Sequence, residues 1–265
     1  LMKFLQSISL FIICGCLTSM AQVQIIAHRG ASAYETENSL AAFKKAFVLD
    51  ADAIEMDIWR TTDDSLVIMH DRTTKRVADR DLIVPESTAA ELRALTLKNG
   101  EKIPFVEEAI RLVPEGKKIV IELKCGFEEG KAGNVFPMLK DILERSGRVN
   151  DAILIAFNPQ ALADAKKHLP GNPCYYLSGE KDKEDELIAT CKNLGFEGLN
   201  VHFSLLTKSL TKKTKKAGLD LMVWTVDMPE IAIEAAKRYK VSGITTNKPD
   251  LIREAVFQTK SKNKK

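Results

Sequence analysis

The chain has 265 residues, 45% of them hydrophobic and 28% charged, enough to bury a sizeable core in one large domain or two small ones, which argues against a disordered or fibrous protein. Lys and Arg number 39 against 36 Asp and Glu, a formal net charge of +3, and part of that excess comes from the terminal Lys260, Lys262, Lys264 and Lys265. No nucleic-acid partner is expected, because backbone-phosphate binding calls for a concentrated basic face.

In chain order, Lys3 precedes an apolar run from Phe4 to Leu17, followed by Ser19-Met20-Ala21, the small-x-small form of a secretory cleavage site before Gln22. Residues 1–21 are therefore expected to be a signal peptide, which makes the protein exported, periplasmic or secreted. The run is shorter than the ~20 residues that span a bilayer, so no stable membrane span is expected. Cys16 after Gly15 leaves an alternative, an acylated N-terminal cysteine and a membrane-anchored lipoprotein. Cys125, Cys174 and Cys191 are irregularly spaced and read as buried structural thiols, not as a disulfide framework or a zinc site.

From residue 22 the chain alternates β-rich runs with amphipathic stretches. Strands are expected at Gln24 to Ala27, Ala53 to Ile58, Lys118 to Leu123, Ala152 to Ala156, Pro173 to Leu177, Gly198 to Val201, Asp220 to Thr225 and Gly243 to Thr246. Helices are expected between them at Ser39 to Leu49, Gly133 to Ser146, Pro159 to Lys167, Lys181 to Asn193, Thr207 to Ala217 and Pro229 to Arg238, several opening on a capping residue or a first-turn proline. Repeated β-then-α units predict an α/β fold, a (β/α)₈ TIM barrel over residues 22–258, with a doubly wound open sheet as its rival.

One further strand-like piece, Leu66 to Met69, follows the second strand across a stretch too short for a parallel crossover, so an antiparallel hairpin is expected. Residues 59 to about 104 read as an insertion after the second strand, and Thr88-Ala89-Ala90-Glu91 within it fits a capping box. Residues 259–265 read as a disordered basic tail.

The polar motifs fall at the C-terminal ends of these strands, the face on which barrel enzymes build their sites. His28-Arg29 follows the first strand, Glu55-x-Asp57 ends the second, His70-Asp71 ends the hairpin, Glu122-x-Lys124 ends the third parallel strand and Trp224 ends the seventh. Side chains at i and i+2 of a strand share a face, so Glu55 and Asp57 stand side by side while Ile54, Met56 and Ile58 face the other way. Like charges so placed call for a cation, and three carboxylates make an oxygen-rich site suited to Ca²⁺ or Mg²⁺ and poor for zinc.

Arg29 and Lys124 add positive charge that suits an anionic ligand, above all a phosphate. His28 and His70 can serve as base and acid, so phosphodiester cleavage is the expected chemistry. Taken singly, Glu55 and Asp57 also suit an edge strand and Glu122 and Lys124 a structural ion pair. Their joint placement is what argues for a site. His168 reads as a favourable charge at a helix C-terminus, and His202 is expected to lie outside the site.

The motifs His28-Arg29-Gly30-Ala31, Glu37-Asn38-Ser39, Ile54-Glu55-Met56-Asp57, Val67-Ile68-Met69-His70-Asp71, Ile103-Pro104, Ile121-Glu122-Leu123-Lys124 and Trp224-Thr225-Val226 together resemble the glycerophosphodiester phosphodiesterase family, from about residue 25 to residue 255. That resemblance implies a metal-dependent hydrolysis of small-molecule glycerophosphodiesters, such as glycerophosphocholine or glycerophosphoethanolamine, to an alcohol and glycerol 3-phosphate. It also implies Glu55, Asp57 and Glu122 as metal ligands, His28 and His70 as acid and base, Arg29 and Lys124 on the phosphate, and Trp224 against the glycerol.

The chain departs from the family pattern with Thr36 for a usual proline, Ala156 for a common serine, Asp227 for a frequent asparagine and Asn247 for a common aspartate. The last three are expected at the rim, clear of the metal and acid–base groups, where they would bear on headgroup preference. Two alternatives remain: a related barrel phosphodiesterase acting on sphingomyelin or lysophospholipids, and an exported protein that binds phosphoesters without turning them over.

Overall fold

The computed structural model describes residues 22–124 and 135–257, so the leader, Cys16, Cys125 and the basic tail lie outside the described residues. Its frame is a sheet of parallel strands: β1 (Gln24–Ala27), β2 (Ala53–Arg60), β4 (Lys118–Leu123), β5 (Ala152–Ala156), β6 (Cys174–Ser178), β7 (Gly198–His202), β8 (Asp220–Trp224) and β9 (Gly243–Thr246). Each pairs with the next, and β1 pairs with both β9 and β2, which closes the barrel and rules out the open sheet. The ninth strand, β3 (Leu66–Ile68), runs antiparallel to β2, with Ile58 opposite Ile68 and Arg60 opposite Leu66. It forms the hairpin expected from its short connection.

The helices begin where capping groups satisfy the first free N–H groups. Ser39 accepts from the Ala42 amide to start α1 (Leu40–Val48), the Thr88–Glu91 capping box starts α2 (Ala89–Ala94), and Asn158 with Pro159 starts α5 (Pro159–His168). Thr207 accepts from the Leu210 amide to start α7 (Lys208–Ala217), which ends, like α6 (Glu184–Leu194), on a left-handed glycine. Two helices, α3 (Val106–Ile110) and α9 (Pro249–Phe257), are not among those expected, whereas α4 (Val135–Arg145) and α8 (Pro229–Lys237) are. Among the described residues no helix is long and apolar enough to cross a membrane.

Alternation along the strands sorts the core. Ile54, Met56 and Ile58 face outward to the helices and are completely buried with Phe43 and Ala46 of α1. Truncating one such side chain to alanine costs about 2–5 kcal/mol.

Inward side chains fall into levels, four to a level, drawn from alternate strands. The pairing register puts Ile26, Val120, Tyr175 and Met222 on one level, and Glu55, Ile155, Asn200 and Thr245 on the next. His28, Glu122, Leu177 and Trp224 stand above these, and Asp57, Phe157, His202 and Asn247 form the uppermost level. The floor is thus apolar and the polarity rises toward the mouth.

The excursion between β2 and β4 has its own small core of Val67, Met69, Val77, Val84, Leu92, Leu95, Leu97 and Ile103. It covers one side of the barrel mouth and delivers His70. Cys174 and Cys191 are buried free thiols, as expected.

Candidate active site

The loop after β1 is built around two residues with left-handed backbone, Arg29 (φ 53°) and Gly30 (φ 79°). A Cβ on Gly30 would lie 2.6 Å from the Ala42 carbonyl carbon, so only glycine lets this turn seat against α1. The turn aims the Arg29 amide at Glu55 Oε2 (2.9 Å) and its guanidinium toward Asp57 (Nε to Oδ2, 3.4 Å) and Glu37 (3.0 Å). Asn38, also left-handed, donates from its amide to Asp57 Oδ2 at 2.7 Å.

Glu55, Asp57 and Glu122 present carboxylate oxygens that all lie within 4.8 Å of one another, and all three side chains are buried. Lys124 reaches between them, its Nζ 3.0 Å from Asp57 and 2.6 Å from Glu122. Burial, with the Asp57 and Glu122 charges added, holds the Glu55 carboxyl well above the usual range. Burial and the Asp57 charge push Glu122 up to about 7. Burial alone would raise Asp57 too, but Lys124 and Arg29 outweigh it and keep that group ionised. Burial works against the charged Lys124 ammonium, yet its two carboxylate partners win and raise its pKa.

This donor set fits a hard divalent cation. It is all oxygen, and Glu55 Oε1 is buried without a hydrogen-bond partner among the described residues, so its lone pairs are uncommitted. Strand geometry accounts for the gathering: Asp57 and Glu122 are registered partners on β2 and β4, and Glu55 is two residues below Asp57 on the same face.

Two imidazoles flank the trio. His70 is pinned by backbone, because the Met69 amide donates to the Asp57 carbonyl and the Trp59 indole donates to the His70 carbonyl. Its Nδ1 lies 2.6 Å from Asp71 Oδ1, and Arg76 in turn bridges Asp71 and Glu37. Burial lowers the His70 pKa, with Asp57 opposing and Lys124 assisting. His28 places Nδ1 2.7 Å from Asn247 Oδ1, and burial together with Arg29 pulls its pKa down to about 4. Both rings therefore spend Nδ1 on a protein acceptor and keep Nε2 for other work.

Arg29, Glu55, Asp57, Glu122 and Lys124 are thus drawn into one contact network, with His28 and His70 beside it. Trp224 stands apart from those charges. Its ring meets Phe157 edge-on at 5.5 Å and His202 at 5.2 Å, and its Nε1 donates to the Asn200 carbonyl, so it forms an apolar wall. His202 joins that wall without touching the acids. His168 stacks on Phe136 at the end of α5.

The expectation of a place clear of the acid–base groups fails for Asn247, whereas Asp227 touches none of them directly and reaches His28 only through Asn247. Asn247 holds His28, and Asp227 holds Asn247 at 2.6 Å. Asn38, Asp71 and Arg76 carry no expected role either, although the first two sit inside the motifs that mark the site.

The matching family model is that of the glycerophosphoryl diester phosphodiesterase family, over residues 28–251. A glycerophosphodiester phosphodiesterase of Caldanaerobacter subterraneus is 32% identical over 243 residues, covering 86% of this chain and 95% of its own. Among solved structures, a glycerophosphodiester phosphodiesterase from Parabacteroides distasonis superposes with a TM-score of 0.79 at 26% identity, over 90% of this chain and 98% of that one. An Oleispira antarctica phosphodiesterase, solved in complex with the product sn-glycerol-3-phosphate, shares the fold with a TM-score of 0.78 at 24% identity, over 89% and 97% of the two chains. The closed barrel, the buried acidic trio with its two flanking imidazoles and a likeness spanning nearly the whole described chain place this protein in the glycerophosphoryl diester phosphodiesterase family, as an enzyme that hydrolyses glycerophosphodiesters.

Proposed function

We propose that the enzyme releases an alcohol and glycerol 3-phosphate with the help of one divalent cation, Ca²⁺ or Mg²⁺, on Glu55, Asp57 and Glu122, and that His28 and His70 transfer the protons. The observation that carries this is the gathering of three buried carboxylates within 4.8 Å beside two imidazoles whose Nδ1 atoms are already engaged. A cation held there would supply charge stabilisation at the phosphoryl oxygens. With it, the three carboxylates, Arg29 and Lys124 sum to a single positive charge, which suits a monoanionic phosphodiester.

Arg29 and Lys124 then bind the phosphate, and Trp224 with Phe157 shields the glycerol from water. One imidazole Nε2 takes the proton of the glycerol hydroxyl beside the phosphate as that oxygen bonds to phosphorus. The other imidazole gives a proton to the departing alcohol. Water opens the resulting cyclic phosphate with the two proton transfers reversed. Glycerol 3-phosphate is the product bound by the Oleispira antarctica neighbour, which supports the same product here.

The test is a product assay over a panel of glycerophosphodiesters with Ca²⁺, Mg²⁺, Mn²⁺ or chelator. EDTA is expected to abolish release of glycerol phosphate, and His28→Ala and His70→Ala each to lower kcat at least ~10²-fold. Retained activity in either variant rejects its role.

A second reading, cleavage of intact lysophospholipid or sphingomyelin, has one observation in its favour. Tyr34, Phe157 and Met228, on the loops after β1, β5 and β8, are large apolar side chains at least 41% exposed around the mouth. Activity on lipid vesicles exceeding that on glycerophosphocholine would favour it. Export remains a proposal that rests on the apolar run and Ser19-Met20-Ala21, and mass analysis of the mature N-terminus tests cleavage before Gln22 against acylation at Cys16.

A further inference from the structure

We propose that Asp227 and Asn247 are positioning residues that fix the tautomer of His28, so that its Nδ1 carries the proton and its Nε2 is bare. The proposal rests on the reading of His28 as a proton-transfer group.

The argument is a chain of hydrogen bonds with one fixed end. Asp227 Oδ1 accepts from the Asn247 amide at 2.8 Å and from the Thr246 hydroxyl at 2.9 Å, while Oδ2 lies 2.6 Å from the Asn247 side chain. A carboxylate only accepts, so the Asn247 atom facing it must be the NH₂ group. That leaves the Asn247 carbonyl oxygen facing His28 Nδ1 at 2.7 Å, and a carbonyl also only accepts, so Nδ1 must donate.

Among the described residues no other neighbour enforces this direction. Ser32 Oγ is 2.7 Å from Asn247 Oδ1 and 2.8 Å from the His28 carbonyl, and a hydroxyl can either donate to or accept from the Asn247 side chain. With Ser32 giving its proton to the His28 carbonyl, a reversed amide would satisfy it equally well. Asp227 is therefore the group that decides.

Asp227→Asn inverts the chain. The oxygen of the introduced carboxamide stays on the Asn247 backbone amide, its NH₂ now faces the Asn247 side chain, and that side chain turns its oxygen outward and its NH₂ toward His28. The ring then accepts at Nδ1 and carries its proton on Nε2, where it cannot act as a base. The reciprocal exchange, Asp227→Asn with Asn247→Asp, restores an acceptor beside His28 while keeping the same number of charges.

The experiment is ¹⁵N NMR of histidine-labelled protein at neutral pH, where burial and Arg29 keep the His28 ring neutral, read beside kcat. The Nδ1–H form is expected in the unaltered protein and in Ser32→Ala, the Nε2–H form in Asp227→Asn with kcat lowered by about 10²–10⁴-fold, as for other acid–base sites given the wrong tautomer. The double exchange is expected to return both the Nδ1–H form and at least a tenth of the lost rate.

An Nδ1–H ring in folded Asp227→Asn, an Nε2–H ring in the unaltered protein, or a folded double variant that recovers neither readout overturns the proposal. Should Asp227→Asn fail to fold, the unaltered protein and the double variant decide alone. The spectra need no substrate, so an enzyme inactive on glycerophosphodiesters would sink the proposed function while leaving this assignment standing.

Discussion

Glu122 is the residue at which charge, burial and the proposed ion binding are most tightly linked. Its carboxyl titrates at about 7 because it is buried beside the Asp57 charge, and Glu55 is raised for the same reasons. Binding of the proposed cation would need both groups ionised, so below about 7 each binding event would expel a proton from Glu122, and above it Glu122 has none to give. Calorimetry in buffers of different ionisation heat is expected to show proton release that shrinks as pH rises through that value, with affinity rising in step. Release unchanged across the range would mean that Glu122 is not a ligand. The acids and their partners were legible because same-face spacing at i and i+2 is written in the sequence. Asn247 was not, since it meets His28 across 219 residues of chain and only closure of the barrel brings β9 beside β1.

The hairpin and its insertion show what an added element contributes to an otherwise regular barrel. Arg76, 45% exposed, bonds both Glu37 and Asp71 and so braces the His70 side of the mouth from outside the barrel. Arg76→Ala is expected to lower kcat about tenfold, the scale of lost outer-layer partners, while leaving the thermal midpoint nearly unchanged, because the pairs it loses are partly exposed. A fall in midpoint with kcat unaltered would make it a structural clamp instead. Inside the barrel, Thr245 on β9 buries a hydroxyl that has no partner among the described residues. Thr245→Val keeps the shape and removes the orphan, so thermal unfolding is expected to show stability unchanged or improved by about 1 kcal/mol. The alternation of strands and helices, the hairpin and the α2 capping box were all legible from period and turn length. The short α3 was not, because five residues give too little period to see and its first-turn anchor is Glu108, which bonds back to the Phe105 amide.

At the scale of the whole molecule, the seams of the barrel are unequal. β2 and β4 share six registered pairs, whereas β1 meets β2 through two and β8 meets β9 through two. Native-state hydrogen exchange is expected to open the β1–β2 and β8–β9 seams before β2–β4, and uniform protection around the ring would contradict this. The barrel was legible in the sequence as eight β-then-α units, but an open sheet follows from the same alternation and is excluded only by the pairing of the first strand with the last. That meeting has a bearing on when the protein can act. A nascent chain emerging from the ribosome already carries both imidazoles and all three acids long before β9 is made, yet the amide that His28 rests on follows 219 residues behind it. On the role proposed for His28, fragments that stop short of β9 are expected to be inert bystanders toward glycerophosphodiesters.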